Sequence, residues 1–426
     1  MKIIKATDKK AAESFLAKLE KRARGGNEAV VRTVSGILED VRRRGDRALK
    51  KYTLRFDGHE KTTLSAAEIE KIAAKAEPSL VKALKFSANR VRAFHKRQVQ
   101  RSWFFEERGI KLGQIIRPLE RVGVYVPGGK ASYPSSVLMN VIPAQVAGVR
   151  EVALVVPAPG LAFNPAVMAA VRMLGVKEVY PVGGAQAVAA LAYGTESIRR
   201  VDKITGPGNI YVATAKRLVF GEVDIDMIAG PSEILVIADS SAPPSFVAAD
   251  LLSQAEHDEL ASAILVTDSA ELAAQVQKEL KMQLGRLSRS GIAKVSLARF
   301  GAVFLVEDMK EAAGIANTIA PEHLEVMTKN PEDLLKEIRN AGAVFLGRWS
   351  PEPLGDYAAG PNHTLPTGGT ARFSSPLGVY DFLKHTSYLR FSREGFERIA
   401  SQVEEVAGAE GLSAHKNAVS IRRKGF

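Results

Sequence analysis

The most informative absence in this chain of 426 residues is cysteine, which does not occur at all. Disulfide bonds are therefore excluded, and so is any catalytic thiolate, including an oxidation through a covalent thiohemiacetal. Any transition-metal site must be built from histidine, carboxylate, amide or water ligands, which argues against a cysteine-rich structural site.

Long apolar runs are also missing. The most apolar stretch, residues 136–149, contains Asn140, Pro143 and Gln145 and is shorter than a membrane-spanning helix requires. The N-terminal residues lack the apolar core of a signal peptide. We therefore expect a cytoplasmic location and no membrane partner.

Acidic side chains are fewer than basic ones. The chain has 47 acidic and 59 basic side chains, which gives a net charge of +12. A basic chain can bind nucleic acid, or its basic surface can simply aid solubility and favour an anionic cofactor. The basic residues are scattered, and no nucleic-acid-binding motif accompanies them. We therefore expect no nucleic-acid partner, and a salt-dependent gel shift would test the alternative.

The hydrophobic pattern changes along the chain and predicts an α/β fold. Residues 1 to about 110 show helical spacing, for example in residues 31–52 and 66–94. From Arg121, short β-branched runs alternate with helical segments about every 25 to 30 residues. A second alternation has predicted strands at 233–238, 263–267, 302–306, 324–328 and 343–346. We therefore predict two doubly wound, Rossmann-like units with mainly parallel sheets, a helical N-terminal arm and a helical C-terminal tail.

This pattern also divides the chain into domains. Residues 1–25 form a short charged arm that has little apolar surface to bury by itself. Residues 26–124 together with 233–377 are expected to form the main α/β domain, and residues 125–232 a second α/β domain. Residues 378–426 are expected to form the helical tail.

Glycine-rich turns follow three predicted strands, where backbone N–H groups can face an anion or a flat ligand. They are residues 126–129, 182–186 and 205–209. None completes the G-x-G-x-x-G fingerprint, and a single such turn is weak evidence because tight turns need glycine anyway. Three turns within one α/β unit, beside Tyr125, Gln186 and Asn209, favour a nucleotide site.

Histidine is scarce, with seven residues, and a lone histidine is usually structural. Gln254 and His257 lie three positions apart at the end of a predicted helix, so both project from one face and form a plausible half of a metal site. Glu322 and His323 lie between a predicted helix and a strand. They could be a general base and a proton shuttle, or equally a helix-terminal charge and a capped histidine.

The remaining histidines differ in their surroundings. Asp356 and His363 flank a turn-rich segment that predicts a loop, and polar residues on a long loop are often functional. His415 follows Glu410 by five positions near the C-terminus. Two further histidines lie in polar helical or loop contexts and are expected at the surface: His59 and His95.

Taken together, these segments closely resemble the histidinol dehydrogenase family over nearly the whole chain. The resemblance is carried by residues 52–58, 121–129, 183–187, 205–211, 229–233, 253–258, 320–325, 355–366 and 371–383. It implies a zinc-dependent, four-electron oxidation of L-histidinol to L-histidine through bound L-histidinaldehyde. Two NAD⁺ are reduced in these last steps of histidine biosynthesis.

The resemblance also implies residue roles. One zinc ion per subunit would be bound in the main domain by Gln254, His257, Asp356 and His415. His323 would remove the alcohol proton and Glu322 would activate water. The substrate-binding residues would be Ser232, Gln254, His257, His323, Asp356, His363, Glu410 and His415. NAD would be bound in the second domain by Tyr125, Gln186 and Asn209.

The resemblance further implies a homodimer with exchanged N- and C-terminal pieces, in which Glu410 and His415 act in the other subunit. The alternative is a related zinc- and NAD-dependent dehydrogenase of another small diol, such as sulfopropanediol. Glu410 favours histidinol, because a carboxylate holds a cationic substrate and repels a sulfonate. The absence of cysteine agrees with attack on the aldehyde by water rather than by a thiol.

Overall fold

A computed structural model describes residues 1–24, 28–128 and 133–424. The predicted end of the N-terminal arm at residue 25 and Gly129 of the first glycine-rich turn lie outside these ranges. Within them, no helix combines the length and the hydropathy that crossing a membrane requires.

Helices dominate the first hundred residues, as their hydrophobic spacing predicts. In the second helix, Val34, Ile37, Leu38 and Val41 recur at helical spacing and are buried. In chain order this region contains β1 (Lys2–Lys5), α1 (Lys9–Arg24), α2 (Glu28–Arg44), α3 (Asp46–Asp57), α4 (Ala66–Ala73), α5 (Pro78–His95), β2 (Trp103–Glu107) and β3 (Ile110–Pro118).

The next region forms a five-stranded parallel sheet with strand order β6-β5-β4-β7-β8. Its elements are β4 (Arg121–Tyr125), α6 (Pro134–Ala147), β5 (Glu151–Val155), α7 (Pro165–Met173), β6 (Glu178–Tyr180), α8 (Gly184–Tyr193), β7 (Lys203–Thr205), α9 (Ile210–Val219) and β8 (Asp224–Ile225). The chain builds outward from β4 to β6 and then returns to the other side of β4. The topological switch point therefore lies between β4 and β7.

A six-stranded parallel sheet follows, with strand order β1-β11-β10-β9-β12-β13. Its further elements are β9 (Glu233–Ala238), α10 (Pro244–Ala255), β10 (Ser262–Thr267), α11 (Ala270–Leu284), α12 (Ser290–Phe300), β11 (Gly301–Leu305), α13 (Met309–Ile319), β12 (His323–Met327), α14 (Pro331–Leu335), β13 (Ala343–Leu346) and α15 (Glu352–Tyr357). Here the switch point lies between β9 and β12. Two doubly wound units are thus confirmed.

The N-terminal arm packs on the six-stranded sheet of its own chain. Strand β1 pairs in parallel with β11, and Phe15 of α1 meets Phe304 edge to face, with ring centroids 5.8 Å apart. The prediction of a purely helical arm is therefore wrong for its first residues, because a four-residue strand is too short to show a clear period.

A third, antiparallel sheet of order β14-β3-β2 joins the end of the predicted helical region to the C-terminal tail. The tail comprises β14 (Leu383–Phe391), α16 (Arg393–Ala409) and α17 (Ser413–Lys424). Short 3₁₀ helices lie at Lys96–Gln98, Pro159–Leu161, Thr370–Arg372 and Val379–Phe382. The tail is thus helical only after a nine-residue strand, whose mostly exposed residues give no clear alternation.

Of the helices in the first hundred residues, α2–α5 cover the five-stranded sheet, whereas α1 alone packs on the six-stranded one. Val34 and Leu49 share a core with Val188, and Leu84 shares another with Met168. The predicted grouping of residues 26–124 with 233–377 therefore differs from the packing, and a boundary at 124 would cut β4. The reason is physical, since an apolar stripe shows that a helix is covered and not which sheet covers it.

Candidate active site

Buried charged residues meet at the amino ends of two neighbouring strands. Glu233 begins β9, while His323 begins β12 directly after Glu322, and all three side chains are buried. The backbone N–H of Glu233 donates to Glu322 Oε2 at 2.9 Å, and His323 Nδ1 lies 2.9 Å from the Glu233 carbonyl oxygen. Because a carbonyl only accepts, Nδ1 carries a proton and Nε2 is the ring nitrogen left for chemistry.

Helix α15 supplies two carboxylates that face this ring nitrogen. His323 Nε2 lies 3.7 Å from Glu352 Oε1 and 3.8 Å from Asp356 Oδ1. Among the described residues, these three form the group of potential metal ligands whose atoms all lie within 4.8 Å of one another. We call them, together with Glu322, the His323 cluster. His363 joins its edge, with Nδ1 3.1 Å from the Asp356 carbonyl oxygen.

The His323 cluster concentrates negative charge. Burial by itself would lower the pKa of His323, but the carboxylates of Glu322, Asp356 and Glu352 raise it to about 10. Burial raises the pKa of Glu322 to about 7, and burial with the Asp356 charge raises that of Glu352 to about 8. Burial opposes ionisation of Asp356 too, yet its interaction with the nearby His323 ring holds its pKa below the usual range. Such a group favours a cation.

Gln254 and His257 close the site from α10. The helix ends at Ala255, and the His257 N–H then donates to the Gln254 carbonyl at 3.2 Å, so the chain makes one further turn. Ser253 Oγ lies 3.4 Å from Glu352 Oε2, which brings this end of α10 against α15. Burial lowers the pKa of His257, whose charge also interacts with that of Asp356. A neutral imidazole is the form that binds metal.

Unsatisfied buried atoms indicate that the site is built for a ligand. Gln254 Oε1, His323 Nε2 and Glu352 Oε1 are buried and have no hydrogen-bond partner within the described ranges. Buried polar atoms without partners are costly, and oxygen and imidazole nitrogen atoms are zinc ligands. The residues present therefore fit a zinc ion.

A second set of predicted residues lies at the carboxyl ends of β4, β6 and β7. Tyr125 ends β4, and its hydroxyl oxygen accepts the Gly184 N–H at 3.1 Å, while burial raises its pKa to about 12. Gln186 is 1% exposed, and its Oε1 has no partner in the described part of the chain. Ligands of α/β sheets bind at this edge beside the switch point.

Asn209 lies at the same carboxyl ends of the strands but also has a structural role. It is the N-cap of α9, and its Oδ1 accepts the N–H groups of Tyr211 and Val212 at 3.0 and 3.2 Å. Its amide oxygen is therefore engaged, and the exposed amide NH₂ is the part that can meet a ligand.

Comparisons with known proteins identify the family. A model of the family described as histidinol dehydrogenase matches residues 20–423. This chain belongs to the histidinol dehydrogenase family. Histidinol dehydrogenase of Syntrophotalea carbinolica is 58% identical over 93% of both chains, and that of Aquifex aeolicus is 57% identical over 95% of both. The crystal structure of histidinol dehydrogenase from Elizabethkingia anophelis matches with a TM-score of 0.89 and 39% identity over 92% of each chain.

Membership of this oxidoreductase family confirms the resemblance and the α/β fold. The structure brings together Glu322, His323, Asp356 and His363, and places the end of α10 beside them. Ser232 precedes Glu233 and is half-buried, with its carbonyl oxygen accepting the Ser262 N–H at 3.0 Å. Glu410 and His415 do not join the His323 cluster, because both side chains are exposed on the helical tail of the single chain.

Sequence reasoning missed Glu352 and misjudged two histidines. Glu352 and Asp356 are four positions apart and would share a helical face, but the Gly- and Pro-rich segment predicted a loop where the structure has α15. His59 and His95, predicted at the surface, are 8% and 0% exposed. Local polarity misled here, since the His95 ring is satisfied inside by the Val91 carbonyl at 2.8 Å.

Proposed function

We propose that this chain catalyses the zinc-dependent oxidation of L-histidinol to L-histidine through bound L-histidinaldehyde. Two NAD⁺ are reduced, in the last steps of histidine biosynthesis. The observation that carries the proposal is the His323 cluster, in which a free imidazole nitrogen faces two carboxylates beside a buried glutamate of raised pKa. Four electrons must leave the substrate, so an acid–base group and a water-activating group are both needed.

Gln254, His257 and Asp356, with His415 from a second subunit, would hold the zinc ion. When bound, the ion supplies a Lewis-acidic template that orients the substrate. Glu352 lies beside this set, and its unpartnered Oε1 adds negative charge to the pocket. The excess of carboxylates agrees with a substrate that carries an ammonium group.

His323 would take the proton of the substrate alcohol at Nε2. Its ring orientation is fixed because Nδ1 donates to the Glu233 carbonyl oxygen at 2.9 Å. The high pKa of His323 arises from the neighbouring carboxylates of Glu322, Asp356 and Glu352. A cationic substrate in the pocket would offset that charge and lower the pKa, which releases Nε2 as a base.

Glu322 would take a proton from the water molecule that attacks the aldehyde. Burial raises its pKa to about 7, close to the value that suits a general base at neutral pH. The Glu233 N–H holds one carboxylate oxygen, Oε2, at 2.9 Å, so the other is left for water.

Tyr125, Gln186 and Asn209 would bind NAD⁺, which accepts the hydride in each oxidation. Their support is positional, because all three lie at the carboxyl edge of the five-stranded sheet near its switch point. The unpartnered Gln186 Oε1 is free to accept a hydrogen bond from the cofactor.

The test of the overall reaction is the number of NADH formed per histidinol consumed. A ratio of about two is expected for a four-electron oxidation, while a ratio near one or no NADH would contradict the proposal. Prolonged chelation should abolish the reaction and added Zn²⁺ should restore it. Full activity in metal-free protein would contradict the zinc role.

We also propose a homodimer in which the tail of one subunit completes the site of the other. Glu410 and His415 are exposed in the single chain, away from the cluster they would serve. In the antiparallel sheet that contains β14, aromatic side chains are about half exposed on both faces of β2, with Trp103 and Phe105 on one face and Phe104 on the other. A second subunit that packs on this sheet would bury them.

Co-expression of two inactive subunits tests this exchange. A mixture of Glu322→Gln and His415→Ala subunits should recover about a quarter of the wild-type activity, because half of the dimers are mixed and one of their two sites is intact. A mixture of Glu322→Gln and His323→Ala subunits is the control and should stay inactive. An inactive first mixture that still forms mixed dimers would contradict the exchange.

A further inference from the structure

A buried ion pair holds the turn at residues 206–209, which we call the Gly206 turn. Lys216 lies on α9 and Asp226 directly follows β8. Their side chains are in contact and are 2% and 0% exposed. Neither residue has a role in the reaction proposed above.

The pair fixes both backbone polar groups of Gly206. Lys216 Nζ donates to the Gly206 carbonyl oxygen at 2.9 Å, and the Gly206 N–H donates to Asp226 Oδ2 at 2.7 Å. Asp226 Oδ1 contacts Lys216 and also accepts the Met227 N–H at 2.6 Å. One ion pair thus joins α9, the Gly206 turn and the chain after β8.

The clamped residue lies directly on the β4–β7 switch point. Gly206 has φ +108°, which side-chain-bearing residues rarely adopt, and an added Cβ would lie 2.1 Å from the Tyr125 carbonyl oxygen. The turn therefore passes against the carboxyl end of β4, between Tyr125 and Asn209. A small shift of Gly206 would displace the backbone at this edge.

Stability alone does not explain the pair. Replacing a fully buried ion pair with apolar side chains is often neutral or stabilising, because desolvation of the two charges offsets their attraction. Here both charged side chains hydrogen-bond to the backbone of one glycine, and Asp226 also holds the N–H of Met227. Such an arrangement fits a device that specifies one backbone conformation.

We infer that Lys216 and Asp226 are positioning residues that hold the Gly206 turn in the conformation that receives NAD⁺. The inference rests on the proposed cofactor role of Tyr125, Gln186 and Asn209. It predicts that the pair controls cofactor affinity and leaves the chemistry at the His323 cluster unchanged.

The experiment compares NADH binding by fluorescence, kinetic constants and thermal unfolding in purified variants of the full chain. Lys216→Met with Asp226→Leu should keep the melting temperature near that of the wild type but weaken NADH binding about tenfold or more. The KM for NAD⁺ should rise by a similar factor, while kcat at saturating NAD⁺ stays within about threefold. Lys216→Gln with Asp226→Asn keeps hydrogen-bonding groups and should lose less than about threefold in affinity.

Lys203→Met is the matched control, because Lys203 is a buried lysine at the other end of β7, 3.0 Å from Asp224. It should lower the melting temperature without changing NADH affinity.

A folded Lys216→Met/Asp226→Leu protein that binds NADH as the wild type does would overturn the inference. An equal loss of NADH affinity in Lys203→Met would also overturn it. If the apolar variant does not fold, Asp226→Asn alone serves as the test: NADH binding weaker than that of Lys203→Met supports the inference, and equal binding overturns it. A wild-type protein that binds no NADH would instead overturn the cofactor proposal.

Discussion

The two parallel sheets of this chain have the same kind of switch point but carry their candidate site residues at opposite ends of their strands. In the five-stranded sheet, Tyr125 and Gly206 lie at the carboxyl ends of β4 and β7. In the six-stranded sheet, Glu233 and His323 lie at the amino ends of β9 and β12. A switch point leaves a crevice between two neighbouring strands. The backbone groups that face this crevice differ between the amino and the carboxyl ends of the strands.

The difference follows from the backbone groups at each edge. At amino ends the first strand N–H groups are free to hold carboxylates, as the Glu233 N–H holds Glu322. Carboxyl ends lead into helix N-termini, whose N–H groups and dipole favour the phosphates of a nucleotide. The acidic His323 cluster and the proposed cofactor site therefore lie at opposite ends of their parallel strands.

The largest expected effect concerns the amino edge of the six-stranded sheet. Glu322→Gln should slow oxidation of the aldehyde about 10²- to 10⁴-fold and affect oxidation of the alcohol less, since only the aldehyde half needs activated water. In the wild type, the aldehyde rate should fall as pH drops below about 7, because Glu322 becomes protonated there. Single-turnover rates of both halves provide the measurement, and equal losses in the two halves would contradict the assignment.

A medium effect is expected at the carboxyl edge of the five-stranded sheet. Gly206→Ala should weaken NADH binding about tenfold and cost about 2 kcal/mol of unfolding free energy, because the added Cβ meets the Tyr125 carbonyl oxygen. Gly221→Ala is the control, since Gly221 also has a positive φ of +104° but nothing within 4 Å of the added Cβ. It should cost about 1 kcal/mol and leave binding unchanged. Equal affinities for the two variants would remove Gly206 from the cofactor edge.

The smallest effect concerns the amino ends of the strands in the five-stranded sheet, where ion pairs are found instead of candidate site residues. Arg121 at the start of β4 contacts Glu178 at 2.6 Å and Glu151 at 3.0 Å, at the starts of β6 and β5. The hydrogen bond with Arg121 lowers the pKa of Glu178 from its ordinary 4.5 to about 2. A lowered carboxyl pKa stabilises the fold above the unfolded value, and this contribution is lost as pH falls from 4.5 towards 2.

Glu178→Gln should therefore cost about 1 kcal/mol at pH 7, after allowance for solvent screening, with no loss of catalytic activity. The difference from the wild type should shrink between pH 4.5 and 2 in denaturant unfolding. Glu70→Gln removes an exposed pair with Arg172 and should change stability by less than about 0.5 kcal/mol. A difference that stays constant with pH would mean that the carboxylate charge of Glu178 is not what stabilises this edge.

Much of the fold could be predicted because strands of a parallel sheet are buried on both faces and form continuous apolar runs. The run 233–238 coincides with β9, and the predicted strands at 263–267 and 343–346 agree with β10 and β13 within a residue. The antiparallel sheet escaped prediction, since β2 and β14 are largely exposed and carry no clear apolar alternation.

The candidate site was predictable only where its residues sit in motifs. Glu322, His323, Asp356 and His363 were all identified, and the structure brings them within reach of one another. Glu352 and Glu233 were not, because a glutamate in a turn-rich segment or at the start of an apolar strand has nothing in its neighbours to mark it. Their contacts with His323 and Glu322 arise only because β9, β12 and α15 meet in space.

The sequence by itself determined where most of the parallel strands lie along the chain, the absence of thiol chemistry and the residues that identify the family. Periodicity and composition are local, and they record which side chains must be buried. Only the tertiary structure decided that α2–α5 cover the five-stranded sheet, that Lys216 and Asp226 hold Gly206, and at which strand ends of each sheet the candidate site residues lie. Those features depend on strand order and long-range packing, which no local pattern encodes.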